Sequence, residues 1–124
     1  MKSKIIRIND KTSLEVEIDG SKISNWKDYV NVIGEKLNFP EIDRYPKYDG
    51  YSDWMRDLSW LNQELMIIKI RHYTEFMKNN LKEKEIFFDL VNDIIEYWRE
   101  EYWREEKFLS DETGKKTVIF CLID

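Results

Sequence analysis

Two short segments near the start of the chain alternate apolar and polar residues, and they predict a β-hairpin. Ser3–Ile8 and Ser13–Ile18 both place apolar side chains at alternate positions, which is the period of a half-buried strand. Residues 9–12 between them read Asn-Asp-Lys-Thr, a composition that favours a turn. Asp19-Gly20 follows as a second turn signal, so the second strand is expected to end there.

The next part of the chain has its apolar residues at helical spacing. The pattern predicts a first helix over roughly Asn25 to Leu37, with Ser24 as a good N-cap and Pro40 closing the segment. Residues 41–48 contain a second proline and two tyrosines, and they are expected to form a loop. A second helix is predicted to begin at Asp49-Gly50 and to run to about Gln63.

The remaining pattern completes an alternating order of strands and helices. Leu65–Ile70 is strand-like, Tyr73–Asn80 is expected to hold a short helical turn, and a long helix is predicted from Glu83 to about Phe108. Thr117–Ile123 is almost wholly apolar, which favours a strand of a parallel sheet buried on both faces. The order β, β, α, α, β, α, β predicts an α/β fold, a small parallel sheet with crossover helices.

Length and composition favour one domain spanning residues 1–124. With 42% apolar and 36% charged residues, the chain has enough apolar content for a folded core. The longest apolar run is six residues, Val118–Ile123, whereas a membrane-spanning helix needs roughly 20. The start of the chain lacks the apolar stretch of a signal peptide, and the single cysteine excludes a disulfide framework. We therefore expect a cytoplasmic protein without membrane association.

Charge and aromatic content change the picture of possible partners. A net charge of −5 argues against binding to nucleic acid, whose phosphates would repel such a surface. Aromatic residues make up 15% of the chain, which is high for so polar a composition. Tryptophan and tyrosine on a surface are frequent anchors of protein contacts, so a protein partner is the better expectation.

Groups for catalysis or metal binding are sparse. The only histidine, His72, stands in no metal-binding motif, and the only cysteine, Cys121, lies in an apolar strand where a thiol is usually inert. The glycines are scattered, so no phosphate-binding loop is formed. We predict that the protein is not an enzyme and uses no cofactor and no metal. Hydrolysis by a pair of carboxylates stays open as a further hypothesis, because acidic residues are abundant.

The predicted second helix has two different faces. Winding residues 51–61 at about 100° per residue gathers an apolar, buried face on one side and a polar face on the other. Trp60 is expected on the polar face, and a tryptophan on a solvent-facing side among charges is typical of a partner contact. The alternative is that the loop or a neighbouring helix covers Trp60. The buried face would hold Tyr51, Trp54, Met55, Leu58 and Leu61, and the polar face Ser52, Asp53, Arg56, Asp57, Ser59 and Trp60.

With these residues the chain resembles the barstar family, small acidic inhibitors of ribonucleases. The resemblance runs from about Ser13 to Ile123 and includes Ile18-Asp19-Gly20, Leu37-Asn38-Phe39-Pro40 and the segment from Gly50 to Leu61. It implies a barstar-like fold, to which this chain adds an N-terminal hairpin strand and a longer third helix.

The resemblance leaves two registers for the second helix. Matching acids to acids places Asp53 and Asp57 on the two family acids, but it buries Ser59 and exposes Leu61, at a cost of ~2 kcal/mol or more. Matching core to core buries Trp54 and Leu58 and places Ser52 and Arg56 at the acid positions. We prefer the second register, in which Arg56 departs from the family pattern.

The resemblance implies an immunity protein that binds a toxic nuclease, first of all an RNase effector domain, and occludes its active site. A basic toxin would be the partner, and we expect the free inhibitor to be a monomer. The alternative is a non-inhibitory interaction module or adaptor. The predicted partner-binding residues are Tyr45, Tyr48, Asp49, Ser52, Asp53, Arg56, Asp57, Trp60 and, in the third-helix segment Trp98-Arg99-Glu100, Glu100.

Overall fold

The predicted order of strands and helices is present in the computed structural model, which describes residues 3–8, 11–40, 47–99 and 115–124. Residues 73–79, where a short helical turn was expected, form a run of hydrogen-bonded turns. Within the described ranges the elements are β1 (Ser3–Ile8), β2 (Lys11–Asp19), a short 3₁₀ turn (Gly20–Lys22), α1 (Trp26–Leu37), α2 (Tyr48–Met55), β3 (Leu65–Arg71), α3 (Leu81–Trp98) and β4 (Thr117–Ile123).

The strands form one sheet in the order β1-β2-β3-β4. The hairpin prediction is confirmed, because β1 pairs antiparallel with β2 and Ser3 lies opposite Val16. The strands β2, β3 and β4 run parallel, with Val16 opposite Ile68 and Ile68 opposite Phe120. Two parallel pairings need crossover connections, which α1 with α2 and then α3 supply. The α/β prediction is therefore confirmed.

The helices cover one face of the sheet. Burial alternates along β2 and β3, so that one face is closed and the other carries charged side chains. On the charged face Lys69 pairs with Glu15 at 3.0 Å and Arg71 with Glu17 at 2.7 Å. The prediction that β4 is buried on both faces is wrong, since Ile119 on the uncovered face is 41% exposed. The buried face comprises Leu14, Val16, Ile18, Met66, Ile68, Ile70 and Val118.

Two helices are shorter than their apolar patterns predicted. α2 ends at Met55 rather than near Gln63, and Leu58 has a positive φ of 52° that no α-helix continues through. α3 ends at Trp98, where Arg99 has extended backbone angles, and residues 100–108 of the predicted helix lie outside the described residues. After α2 the apolar pattern persists beyond the helix, since the side chain of Leu58 in the following turn also reaches the core.

The core between the helices and the sheet is rich in aromatic rings. Tyr29 from α1 lies at the centre, with ring centroids 4.8 Å from Phe87, 5.5 Å from Tyr51 and 5.9 Å from Phe76. All four side chains are fully buried. Edge-on packing of this kind adds stabilisation beyond area burial, and it ties α1, α2 and α3 together.

Candidate protein-binding surface

The inner face of α2 is fixed to α1 by a pair of buried tyrosines. The hydroxyl oxygens of Tyr51 on α2 and Tyr29 on α1 are 2.6 Å apart, and both side chains are fully buried. Burial raises the pKa of both phenols well above the ordinary value, because the ionised form would lose its hydration. The pair therefore stays protonated and hydrogen-bonded at neutral pH, and it sets the position of α2 along α1.

The beginning of α2 is held by a glutamate from another helix. Its N-cap residue, Lys47, forms no side-chain capping bond. The Tyr48 hydroxyl instead lies 3.5 Å from Glu83 Oε2, and the Tyr48 ring packs edge-on at 4.8 Å against Trp26. Glu83 Oε1 also accepts a 2.7 Å hydrogen bond from the Trp26 backbone N–H, the first of α1. The first turns of all three helices thus meet at Glu83.

Burial and the neighbouring Glu83 carboxylate together raise the pKa of Tyr48. Tyr48 was predicted to contact a partner, and it is half-buried in this junction.

The end of α2 is held by a tryptophan of α3. The Trp98 indole N–H donates a 2.8 Å hydrogen bond to the Met55 carbonyl. In a longer helix that carbonyl would accept from the Ser59 N–H, which here donates to the Asp57 carboxylate at 3.3 Å. Both groups of the missing helical bond therefore have other partners, which explains why α2 stops at Met55.

Trp60 does not lie on an exposed helix face, and that part of the prediction is wrong. The residue follows the end of α2, and its indole N–H donates a 2.8 Å hydrogen bond to the Leu37 carbonyl at the end of α1. Its ring packs edge-on against Phe39 at 6.0 Å and Trp54 at 5.6 Å. The alternative interpretation was that the loop or a neighbouring helix covers Trp60, and the contacts with Leu37 and Phe39 at the end of α1 agree with cover by the helix.

The burial around α2 agrees with the core-to-core register. Leu58 is fully buried and Ser59 is exposed, whereas the acid-to-acid register would bury the serine. Trp54 is half-buried and packs on the core.

The outer face of α2 forms one wall of an open groove of about 760 Å³, and α3 forms the other. Four of the predicted residues come together here, namely Asp49, Ser52, Asp53 and Arg56. The opposite wall consists of Leu90, Asp93, Glu96 and Tyr97.

The α3 wall was missed in the sequence analysis, which looked for a third-helix contact at Glu100. Asp93, Glu96 and Tyr97 have the i, i+3, i+4 spacing of one helix face, so winding α3 as well as α2 would have found them.

Arg56 lies inside this otherwise acidic groove and is held by three contacts. Its Nη2 is 3.1 Å from Asp53 Oδ1, its Nε donates to the Ser52 carbonyl at 3.2 Å, and its guanidinium is 5.8 Å from the centre of the Tyr97 ring. The Asp53 side chain nonetheless remains 72% exposed. The groove therefore presents four carboxylates and one guanidinium, with the carboxylates accessible to a partner.

The other predicted residues do not line the groove or lie outside the described part of the chain. Asp57 is exposed in the turn after α2, while Tyr45 and Glu100 fall outside the described residues. His72 is exposed at the end of β3, and Cys121 is half-buried on β4. In the described ranges, no group of three or more histidine, cysteine, aspartate or glutamate side chains is arranged to hold a metal ion.

In the described part of the chain, every helix is too short or too polar to cross a membrane.

A protein-family model described as Barstar (barnase inhibitor) matches residues 14–112, which is most of the chain. No curated protein matches the chain. The matched region begins in β2 and includes α1, α2, β3 and α3. It leaves out β1, the strand that the resemblance did not account for, and also β4, which the resemblance included.

Proposed function

Because the chain belongs to the barstar family, we propose that it is a cytoplasmic immunity protein that binds a toxic nuclease, an RNase effector domain, and occludes its active site. Members of this family are inhibitors rather than enzymes. The observation that carries the proposal is the outer face of α2, which exposes acidic side chains on a helix whose inner face and both ends are anchored.

Charge supports a basic partner. The chain has a net charge of −5, and Asp49, Asp53, Asp93 and Glu96 converge on one groove. A nuclease active site is basic because it binds phosphates. An acidic surface facing it speeds association, and charged contacts that become buried in the complex slow dissociation.

Rigid anchoring supports tight binding. A helix that is already ordered loses little conformational entropy when a partner docks. In α2 the helix is held in place from its inner side by the hydrogen bonds of Tyr48, Tyr51 and the Met55 carbonyl. The proposed contact surface comprises Asp49, Ser52, Asp53, Arg56 and Asp57, and Tyr48 and Trp60 support it from behind. Tyr45 and Glu100, which lie outside the described residues, stay predicted contacts.

Inhibition of a candidate toxin tests the proposal. The purified chain is mixed with a basic toxin RNase domain, and RNA hydrolysis and the association rate are measured at several salt concentrations. We expect stoichiometric inhibition and an association rate that falls as salt rises. Asp53→Ala should weaken the complex by about 2 kcal/mol or more, roughly 30-fold in Kd.

Asp89→Ala is the matched control. Asp89 is an exposed acid on α3 outside the groove, so this variant changes the net charge equally and should leave the affinity within about twofold. Equal losses in the two variants would contradict the placement of the surface. A tight complex that leaves RNA hydrolysis unaffected would instead favour the non-inhibitory module.

A further inference from the structure

A cation lies inside the groove to which the proposed function assigns a basic partner. Among the described residues that line the groove, Arg56 is the only basic one, and it shares the groove with Asp49, Asp53, Asp93 and Glu96. The Arg56 side chain is 42% exposed, so a docked partner reaches it. Like charges that face each other across an interface weaken a complex. Arg56 therefore requires something other than a basic residue opposite it.

The Arg56 guanidinium is held in place in the free protein. Nε donates to the Ser52 carbonyl at 3.2 Å, Nη2 donates to Asp53 Oδ1 at 3.1 Å, and the Tyr97 ring on α3 lies 5.8 Å from the guanidinium carbon. A planar group that is already fixed from two helices loses little freedom when a partner docks. Arg56 is thus a preorganised part of the surface.

The hydrogen-bonding capacity of Arg56 is only partly used. Two of its five N–H donors have acceptors in the described part of the chain, which leaves three donors for other groups. A partner that excludes water from the groove must supply acceptors for them, because unsatisfied donors on a charged group destabilise a complex. A carboxylate offers two oxygens in the geometry of a guanidinium and also balances its charge, whereas a backbone carbonyl brings no balancing charge.

We propose that the cognate nuclease carries one aspartate or glutamate among its basic contact residues and that this carboxylate binds Arg56, an assignment that rests on the proposed function because it concerns the same groove. Basic residues of the partner face the carboxylates of the groove, and its one acid faces Arg56. Arg56 is then a specificity determinant. A nuclease with only basic residues at this position would be repelled by Arg56 and would leave its donors unpaired.

The sign of the effect of Arg56→Gln tests this assignment. If the surface needed only negative charge, removing a cation should tighten the complex with a basic toxin. We expect the opposite, a Kd at least about tenfold higher, mainly through faster dissociation. The Kd and both rates are measured with the toxin RNase domain of the inhibition test, and thermal melting checks that the variant is folded. An Arg56→Gln complex that is unchanged or tighter would overturn the assignment.

Lys82→Gln is the matched control. Lys82 is an exposed cation on α3 outside the groove, so its loss changes the net charge equally and should leave the affinity within about twofold. Equal weakening by Lys82→Gln and Arg56→Gln would show that Arg56 has no specific contact.

Charge exchange separates recognition of a carboxylate from loss of the Asp53 contact. Arg56→Glu should raise the Kd about 100-fold, and each acidic residue on the contact face of the toxin is then changed to lysine in turn. At one position the change should recover tenfold or more of the lost affinity, because the two reversed charges again attract each other. Failure to recover affinity at any position would exclude a partner carboxylate at Arg56.

Asp53→Ala distinguishes a wrong partner group from a wrong function. If the wild type inhibits the toxin and Asp53→Ala weakens the complex while Arg56→Gln does not, the proposed function stands and the carboxylate is excluded. If the wild type neither binds nor inhibits any toxin RNase domain, the proposed function fails and the assignment of Arg56 fails with it.

Discussion

The helices α1 and α2 are neighbours in sequence and in space, but their ends are determined differently. At the start of α1, Asn25 Oδ1 accepts from the Asp28 N–H and Asp28 Oδ2 accepts from the Ser24 N–H, both at 2.9 Å. At its end, Asn38 adopts the left-handed conformation that closes a helix, and Phe39 N–H returns to the Gly34 carbonyl at 2.8 Å. The signals for α1 therefore lie within its own sequence.

α2 has few such signals of its own. It is only eight residues long, and its N-cap lysine makes no capping bond. Its start, middle and end are held by Glu83, Tyr29 and Trp98, which come from other helices. A helix this short is not stable alone in water. The comparison teaches that α2, the helix that we propose as the partner-binding surface, owes its position to tertiary contacts.

The largest difference between α2 and α1 should come from replacing the tryptophans that hydrogen-bond to their ends, Trp98 and Trp60. Trp98→Phe removes the hydrogen bond to the Met55 carbonyl and leaves space around a nearly buried ring, so we expect a loss of about 3 kcal/mol in the free energy of unfolding. Trp60→Phe removes the equivalent bond to Leu37, but Asn38 still closes α1, so the loss should be about 1 kcal/mol.

Urea denaturation gives the two losses, and amide hydrogen exchange locates them. Exchange should accelerate in α2 for Trp98→Phe and change little in α1 for Trp60→Phe. Equal losses, or faster exchange in α1 alone, would contradict the contrast between the helices.

Alkaline pH should act through the tyrosine pair that links α1 to α2. Because burial raises the pKa of Tyr29 and Tyr51 above that of the unfolded chain, their contribution is complete below the unfolded pKa of about 10 and is lost as pH rises through the folded values. At about pH 10.5 the two groups should together cost about 2 kcal/mol of stability.

The double variant Tyr29→Phe plus Tyr51→Phe isolates this effect. Its stability should decline less steeply above about pH 10, because these two groups no longer ionise on unfolding. Unfolding free energies from urea titrations over this pH range measure the difference. Parallel pH profiles of wild type and double variant would show that the pair does not produce the loss.

The difference between α1 and α2 also explains why the sequence predicts the ends of α1 well and the end of α2 poorly. The α1 prediction, roughly Asn25 to Leu37, differs by one residue from the observed helix because its caps are local, although the N-cap is Asn25 rather than the predicted Ser24. The α2 prediction extended to Gln63, since nothing in that segment reveals that Trp98 takes the Met55 carbonyl. Apolar periodicity continues through Leu58, which a turn buries as effectively as a helix would.

Only part of the candidate surface could be predicted from the sequence. The exposed side of α2, from Asp49 to Arg56, follows from winding residues close in sequence. Trp60 was misplaced because the end of α2 was misplaced, and its bond to Leu37 joins residues 23 positions apart. The α3 wall of the groove depends on how two helices pack, which a single periodicity does not encode.

The smallest expected effects concern the two N-caps, and they test the comparison directly. Asn25→Ala removes the side chain that caps α1 and should cost about 1 kcal/mol. Lys47→Ser supplies α2 with the missing cap at a residue that already has extended angles, φ −72° and ψ −173°, and should stabilise the protein by about 0.5 kcal/mol. Chemical denaturation followed by circular dichroism measures both changes. If Lys47→Ser left stability unchanged, the contacts of Tyr48 with Glu83 and Trp26 would already satisfy the start of α2. The start of α2 would then depend entirely on residues distant in the sequence.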